Sequence, residues 1–115
     1  MLRNQRIGIE AWRCSGRHSA GAQETKVRPA VVIASATYLA ERPDAVVGIL
    51  TTKLPTMPGT TDYVLQDWQP AGLRAESCFR AYVLTAHRSE LKVIGHLSSR
   101  DWESVKARVR MAFAI

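Results

Sequence analysis

Between Val27 and Leu97 the apolar residues of this chain gather in short, β-branched runs, and the segments between them carry no sustained helical spacing. That succession constrains the fold more than anything else in the sequence. "AVVIAS" (30–35) reads as a buried strand, and "ATYLAE" (36–41) is at most a turn of helix. "DAVVGILTT" (44–52) is a second apolar strand after the breaker Pro43, followed by the Pro- and Gly-rich loop "KLPTMPGT". "DYVLQ" alternates as a strand with one wet face, and Pro70 and Gly72 turn the chain. "CFRAYVL" and "LKVIGHL" follow as strands separated by a polar turn, "TAHRSE". After Leu97 the period changes. Ser98 and Asp101 form a Ser-x-x-Asp start signal, and Trp102, Val105, Val109, Ala112 and Phe113 recur at helical spacing, so a helix is expected from Ser99 to about Ala114. Strands in succession without intervening helices pair antiparallel. The expected fold is mainly β (α+β): a small, strongly bent antiparallel sheet or barrel capped by a C-terminal helix.

With 115 residues, one domain and one core are expected. The formal charge of +6 favours contact with polyanions, through release of their counterions. Four of the excess positive charges lie in residues 1–28, where Arg3, Arg6, Arg13, Arg17, Lys26 and Arg28 face only Glu10 and Glu24. Cys14 and Cys78 stand far apart with no metal-ligand spacing, so reduced thiols in the cytoplasm are expected. No apolar run approaches bilayer length, and no His-Cys or paired-carboxylate pattern points to a metal or cofactor.

Arg28 and Pro29 stand at the mouth of the first strong strand. Proline lacks an amide hydrogen and suits the first residue of a strand; the residue before it is held extended, which aims the Arg28 guanidinium from the end of a sheet. Such a position suits a phosphate clamp, and equally a solvated arginine at a strand end.

This order, with four phrases, resembles the PemK/MazF family of toxins from type II toxin-antitoxin systems. The phrases are "RPAVVI" (28–33), "ILTT" (49–52), "AGLRAESCFRAYVLT" (71–85) and "IGHLSSRDWESV" (94–105). The resemblance implies an SH3-like barrel with a C-terminal helix, a homodimer, an antitoxin partner, operator DNA bound together with that antitoxin, and metal-independent cutting of single-stranded RNA. The substrate's ribose 2′-hydroxyl would be the nucleophile, leaving a cyclic phosphate and a 5′-hydroxyl. The protein then has only to move protons and stabilise charge on phosphorus.

On that resemblance Arg28 matches an arginine placed on the scissile phosphate, and Thr51 a hydroxyl donor to the same phosphate. Arg80 matches a second catalytic arginine of some members, in an Arg-x-Asp arrangement, but Tyr82 stands where the acid would be. A neutral phenol is a poor base near pH 7, so Glu24, just ahead of the Arg-Pro strand, is the candidate base. Lys26, Thr52, Lys53, Trp68 and Tyr82 are candidate RNA contacts. Plainer roles compete with these: Arg80 pairing with Glu76 or Asp67, Thr51 present for its β propensity, and Trp68 packed against the helix.

Residues 1–25 depart from the family pattern, which opens on Gly-Asp before an apolar strand. Either "RIGIEAW" supplies that strand, or the frame has shifted. Reading Trp12-Arg13-Cys14 one base later gives glycine, then a triplet that allows aspartate, then valine or alanine. A second function follows from these departures, that of a toxin-like module that binds antitoxin, operator DNA or gyrase without cutting RNA.

Overall fold

The computed structural model describes residues 6–8 and 28–115. Among these residues, six strands form one antiparallel sheet: β1 (Arg6–Gly8), β2 (Ala30–Val32), β3 (Asp44–Thr51), β4 (Tyr63–Val64), β5 (Cys78–His87) and β6 (Val93–His96). Their spatial order is β4-β5-β3-β2-β1-β6. A six-residue helix, α1 (Ala36–Glu41), joins β2 to β3, and a long helix, α2 (Ser99–Phe113), ends the chain. The expected class therefore holds: an antiparallel half-barrel with a C-terminal helix. Of the stretch "RIGIEAW", the described residues Arg6–Gly8 form a strand. Arg6–Gly8 pairs with β2 on one side and β6 on the other.

β3 is the spine of the sheet and is buried on both sides, as its nearly unbroken apolar run requires. Ala45, Val47 and Ile49 belong to one apolar cluster with Ala30, backed by Val32, Leu39, Leu84 and Leu91. Leu50 belongs to the other, with Val31, Leu65, Leu73, Phe79, Leu97 and Val105 of α2. Gly48 leaves room for the ring of Phe79, which a Cβ there would strike. The polar turn expected at "TAHRSE" is instead an extension of β5, because Thr85, Ala86 and His87 pair with Val46, Ala45 and Asp44. The turn itself is a 3-10 helix at Arg88–Glu90, capped by His87.

The two edges of the sheet approach each other through loop backbone rather than through a ladder. A Cβ on Gly95 of β6 would strike the Ala71 carbonyl, and one on Gly72 would lie 2.6 Å from the Ile94 carbonyl. The segment after β4 thus rests directly on β6.

Helix α2 starts at Ser98, whose hydroxyl accepts from the Asp101 N–H (3.3 Å). Asp101 does not fold back on the cap. It is fully buried, and its carboxylate accepts from the Tyr63 hydroxyl (2.6 Å) and from the N–H groups of Gln66 (3.0 Å) and Asp67 (2.8 Å). Three donors satisfy a charge that would otherwise be expensive to bury. Beside it, Arg100 grips Asp67 with two bonds of 2.7 Å, and Ser98 donates to the same carboxylate at 2.6 Å. These contacts hold the Asp67 carboxyl down at about 2, the Arg100 bonds contributing most.

Candidate functional site at the lip of the sheet

Pro29 has no N–H to give, but its carbonyl accepts from the Leu50 N–H at 3.1 Å and so fixes the start of β2 against β3. Ala30 pairs with Ile49. Continuing that register by two residues sets Arg28 opposite Thr51, the last residue of β3. Residues opposite one another in an antiparallel pair point to the same side of the sheet. Arg28 makes no ion pair with the described residues and is half-buried. The Thr51 hydroxyl accepts from the Lys53 N–H at 3.1 Å, a local turn that carries Thr52 and Lys53 out into solvent. Its own hydrogen remains free to donate, which is what a phosphate oxygen needs.

Arg80 and Tyr82 enter through an irregularity in β5. Gly48 pairs with Val83 and Leu50 with Phe79, so Ile49 alone faces the three residues Arg80, Ala81 and Tyr82. The bulge is made by Ala81, at φ +59° in the left-handed region, where an alanine is strained. Ala81 turns toward the core beneath α2, and Arg80 and Tyr82 are both exposed, Tyr82 to 64%. By strand alternation they share the face of Leu84 and Ala86, which is also the face of Thr51 and Arg28. With β3 between them, β2 and β5 lie two strand spacings apart, about 10 Å.

Arg80 pairs with neither Glu76 nor Asp67. Its Nε donates to Asp62 Oδ1 at 3.3 Å from the adjoining β4 end, and Asp62 Oδ2 also accepts from the Gly59 N–H at 2.8 Å. Asp62 is therefore a carboxylate beside Arg80, at a place where β5 itself carries a tyrosine. Sequence reading missed it, because the partner lies across a ladder 18 residues away in the chain. Trp68 is half-buried and packs against the core under α2. Thr52 and Lys53 are exposed. Glu24 and Lys26 lie outside the described residues, as does the segment 9–27 on which the frame-shift reading turns.

Pro29 and Thr52 line a cleft of about 530 Å³ with Gly72, Leu73, Arg74, Ala75, Ser77, Lys92 and Ile94. Neither Arg74 nor Lys92 is flagged by its local sequence; each is a cation beside an apolar run. Among the described residues, no group of three or more His, Cys, Asp or Glu side chains gathers to hold a metal. No described helix is long and apolar enough to cross a membrane.

The antiparallel half-barrel with its C-terminal helix is a MazF-like fold. The chain matches no protein-family profile and no curated protein sequence. Among solved structures it is similar to the Mycobacterium tuberculosis toxin MazF-mt6, with TM-score 0.70 and 16% identity over 93% of this chain and 96% of that one. It is similar also to MazF in the MazE-MazF complex of Deinococcus radiodurans, with TM-score 0.72 and 14% identity over 96% of this chain and 94% of that one. A mycobacterial endoribonuclease seen with its cognate antitoxin superposes with TM-score 0.69 and 14% identity, over 98% and 97% of the two chains.

Proposed function

We infer that this chain is the toxin of a type II toxin-antitoxin system, a metal-independent, sequence-specific endoribonuclease of single-stranded RNA whose activity inhibits translation and growth. It acts in the cytoplasm as a homodimer and is masked by an antitoxin, with which it binds operator DNA. The observation that supports this reading is the pairing of Ala30 with Ile49, a register that, carried on by two residues, puts Arg28 opposite Thr51 on the side of the sheet with Arg80 and Tyr82. In this reading Arg28 takes two non-bridging oxygens of the scissile phosphate, and the free Thr51 hydrogen donates to the same group. The ribose 2′-oxygen attacks phosphorus as its proton passes to Glu24. The bond from phosphorus to the 5′-oxygen breaks, that oxygen takes a proton from water, the 2′,3′-cyclic phosphate remains, and Arg80 offsets the charge that develops between. Lys26, Thr52, Lys53 and Tyr82 contact the flanking nucleotides. Trp68 offers a base at most the edge of its indole left outside the core.

Incubating the purified protein with a long mixed-sequence RNA in EDTA is expected to yield fragments with 5′-hydroxyl ends. RNA that stays intact rejects the nuclease reading. Arg28→Ala is expected to lower the cleavage rate roughly 10²- to 10³-fold with the thermal midpoint unchanged. A second reading, of a module that binds without cutting, is favoured by the phenol at Tyr82. Growth arrest on induction with cellular RNA left whole selects it.

A further inference from the structure

Two pairs of chain neighbours are split across the lip of the sheet. Arg28 and Thr51 belong by register to one face, whereas Pro29 and Thr52 line the cleft with Leu73 and Ile94, whose neighbours form the α2-side core. Three segments converge there: the mouths of β2 and β3, the stretch Gly72–Ser77 ahead of β5, and the entry to β6. Among the described residues the lining holds two cations, Arg74 and Lys92, and no carboxylate. Both are exposed, and neither forms an ion pair with a described residue. Pro29, Leu73, Ala75 and Ile94 supply apolar walls, which concentrate the field of the two cations into the groove.

We propose that this cleft is a second phosphodiester subsite, in which Arg74 and Lys92 hold backbone phosphates of a single strand whose reacting phosphate lies over the lip at Arg28 and Thr51. The inference rests on the ribonuclease reading for its direction, since that reading places the reacting phosphate within one residue of the cleft on both strands. A phosphodiester chain is favoured over an acidic peptide by continuity: the cationic lining joins the Arg28–Thr51 pair through Pro29 and Thr52 with no carboxylate between them among the described residues. The volume lies within the range of pockets that hold ligands of nucleotide size. A phosphate clamp positions a strand without reading its sequence, so the cleft adds affinity and register and leaves base choice elsewhere.

The test compares wild type, Arg28→Ala and the double variant Arg74→Ala/Lys92→Ala. It measures binding of a 2′-O-methyl oligonucleotide and of oligo(dT) across a salt series, and cleavage of a matching RNA. The double variant is expected to bind both strands roughly tenfold more weakly at moderate salt. Its log-log salt slope is expected to be shallower by about 1.4, for two lost phosphate contacts on a single strand. In cleavage it raises KM and spares kcat, whereas Arg28→Ala lowers kcat. Wild-type cutting with an unchanged slope and KM in the double variant overturns the subsite and leaves the ribonuclease standing. Strand binding that depends on Arg74 and Lys92, in a wild type that cuts no RNA, supports the subsite and rejects the ribonuclease. A wild type that neither binds nor cuts rejects both, and preferential, Arg74- and Lys92-dependent binding of a polyglutamate peptide overturns the choice of a nucleic-acid ligand.

Discussion

Asp62 faces Arg80 from the next strand and holds the loop through the Gly59 N–H with its other oxygen, so one carboxylate orients a guanidinium and closes the turn at once. Only one of the five guanidinium N–H groups is used in this pair, leaving the others for an anion. On the ribonuclease reading proposed above, Asp62→Ala is expected to lower kcat roughly ten- to a hundredfold with KM little changed, because Arg80 loses its fixed direction. Asp62→Glu should recover part of that rate, and an Asp62→Ala enzyme with wild-type kcat removes the positioning role. A part in catalysis for Arg28, Thr51 and Arg80 came only from the resemblance, but their places at a strand mouth, at a strand end and within a strand were legible in the sequence. Asp62, Arg74 and Lys92 were not, since their meaning depends on which strands lie side by side. Trp68 was ambiguous for the opposite reason, as a turn indole that packs looks the same in sequence as one that waits for a base.

At the scale of elements, two features carry consequences for stability. Asp101 fastens α2 to the connection after β4, and Asp101→Ala strands a hydroxyl and two backbone N–H groups at a buried site. The expected cost is roughly 3–5 kcal/mol, read as a fall in the denaturant midpoint. For a domain whose total stability is of order 5–15 kcal/mol, that separates a folded from a largely unfolded population. Ala81 tests the bulge. Replacement by Val, which is poorly tolerated in the left-handed region, is expected to cost about 2 kcal/mol, while Ala81→Gly is neutral to slightly stabilising. Equal effects of the two in equilibrium unfolding rule out backbone strain at this position. The helix start at Ser98 and the strands around Ala30, Gly48 and Val83 could be read from spacing and β-branching. The bulge could not, because nothing in "FRAYV" marks a left-handed residue. Nor could the length of β5 be read, since its polar last residues owe their strand to partners in β3.

For the molecule as a whole, acid should loosen the attachment of α2. Asp67 titrates near 2, below its ordinary 3.8, because Arg100 and Ser98 favour its charged form. A carboxyl lowered on folding contributes stability in full above the unfolded value and loses it as pH falls toward the folded one, here between about pH 4 and pH 2. Arg100 is largely exposed, so the effect is modest, and Asp67→Asn is expected to flatten the thermal midpoint across that window. An unchanged acid slope in the variant removes the pair from the acid response. The sheet order also bears on when the protein becomes competent during synthesis. Among the described strands the first in chain order, Arg6–Gly8, is flanked in space by β2 and by β6, the last in that order. In a growing chain Arg6–Gly8 therefore waits for one of its two partners until Val93–His96 has left the ribosome, and a product stopped before that point lacks the strand on that side. Closure of the sheet around Arg6–Gly8 is thus a late event in synthesis, because it waits on a partner strand far along the chain.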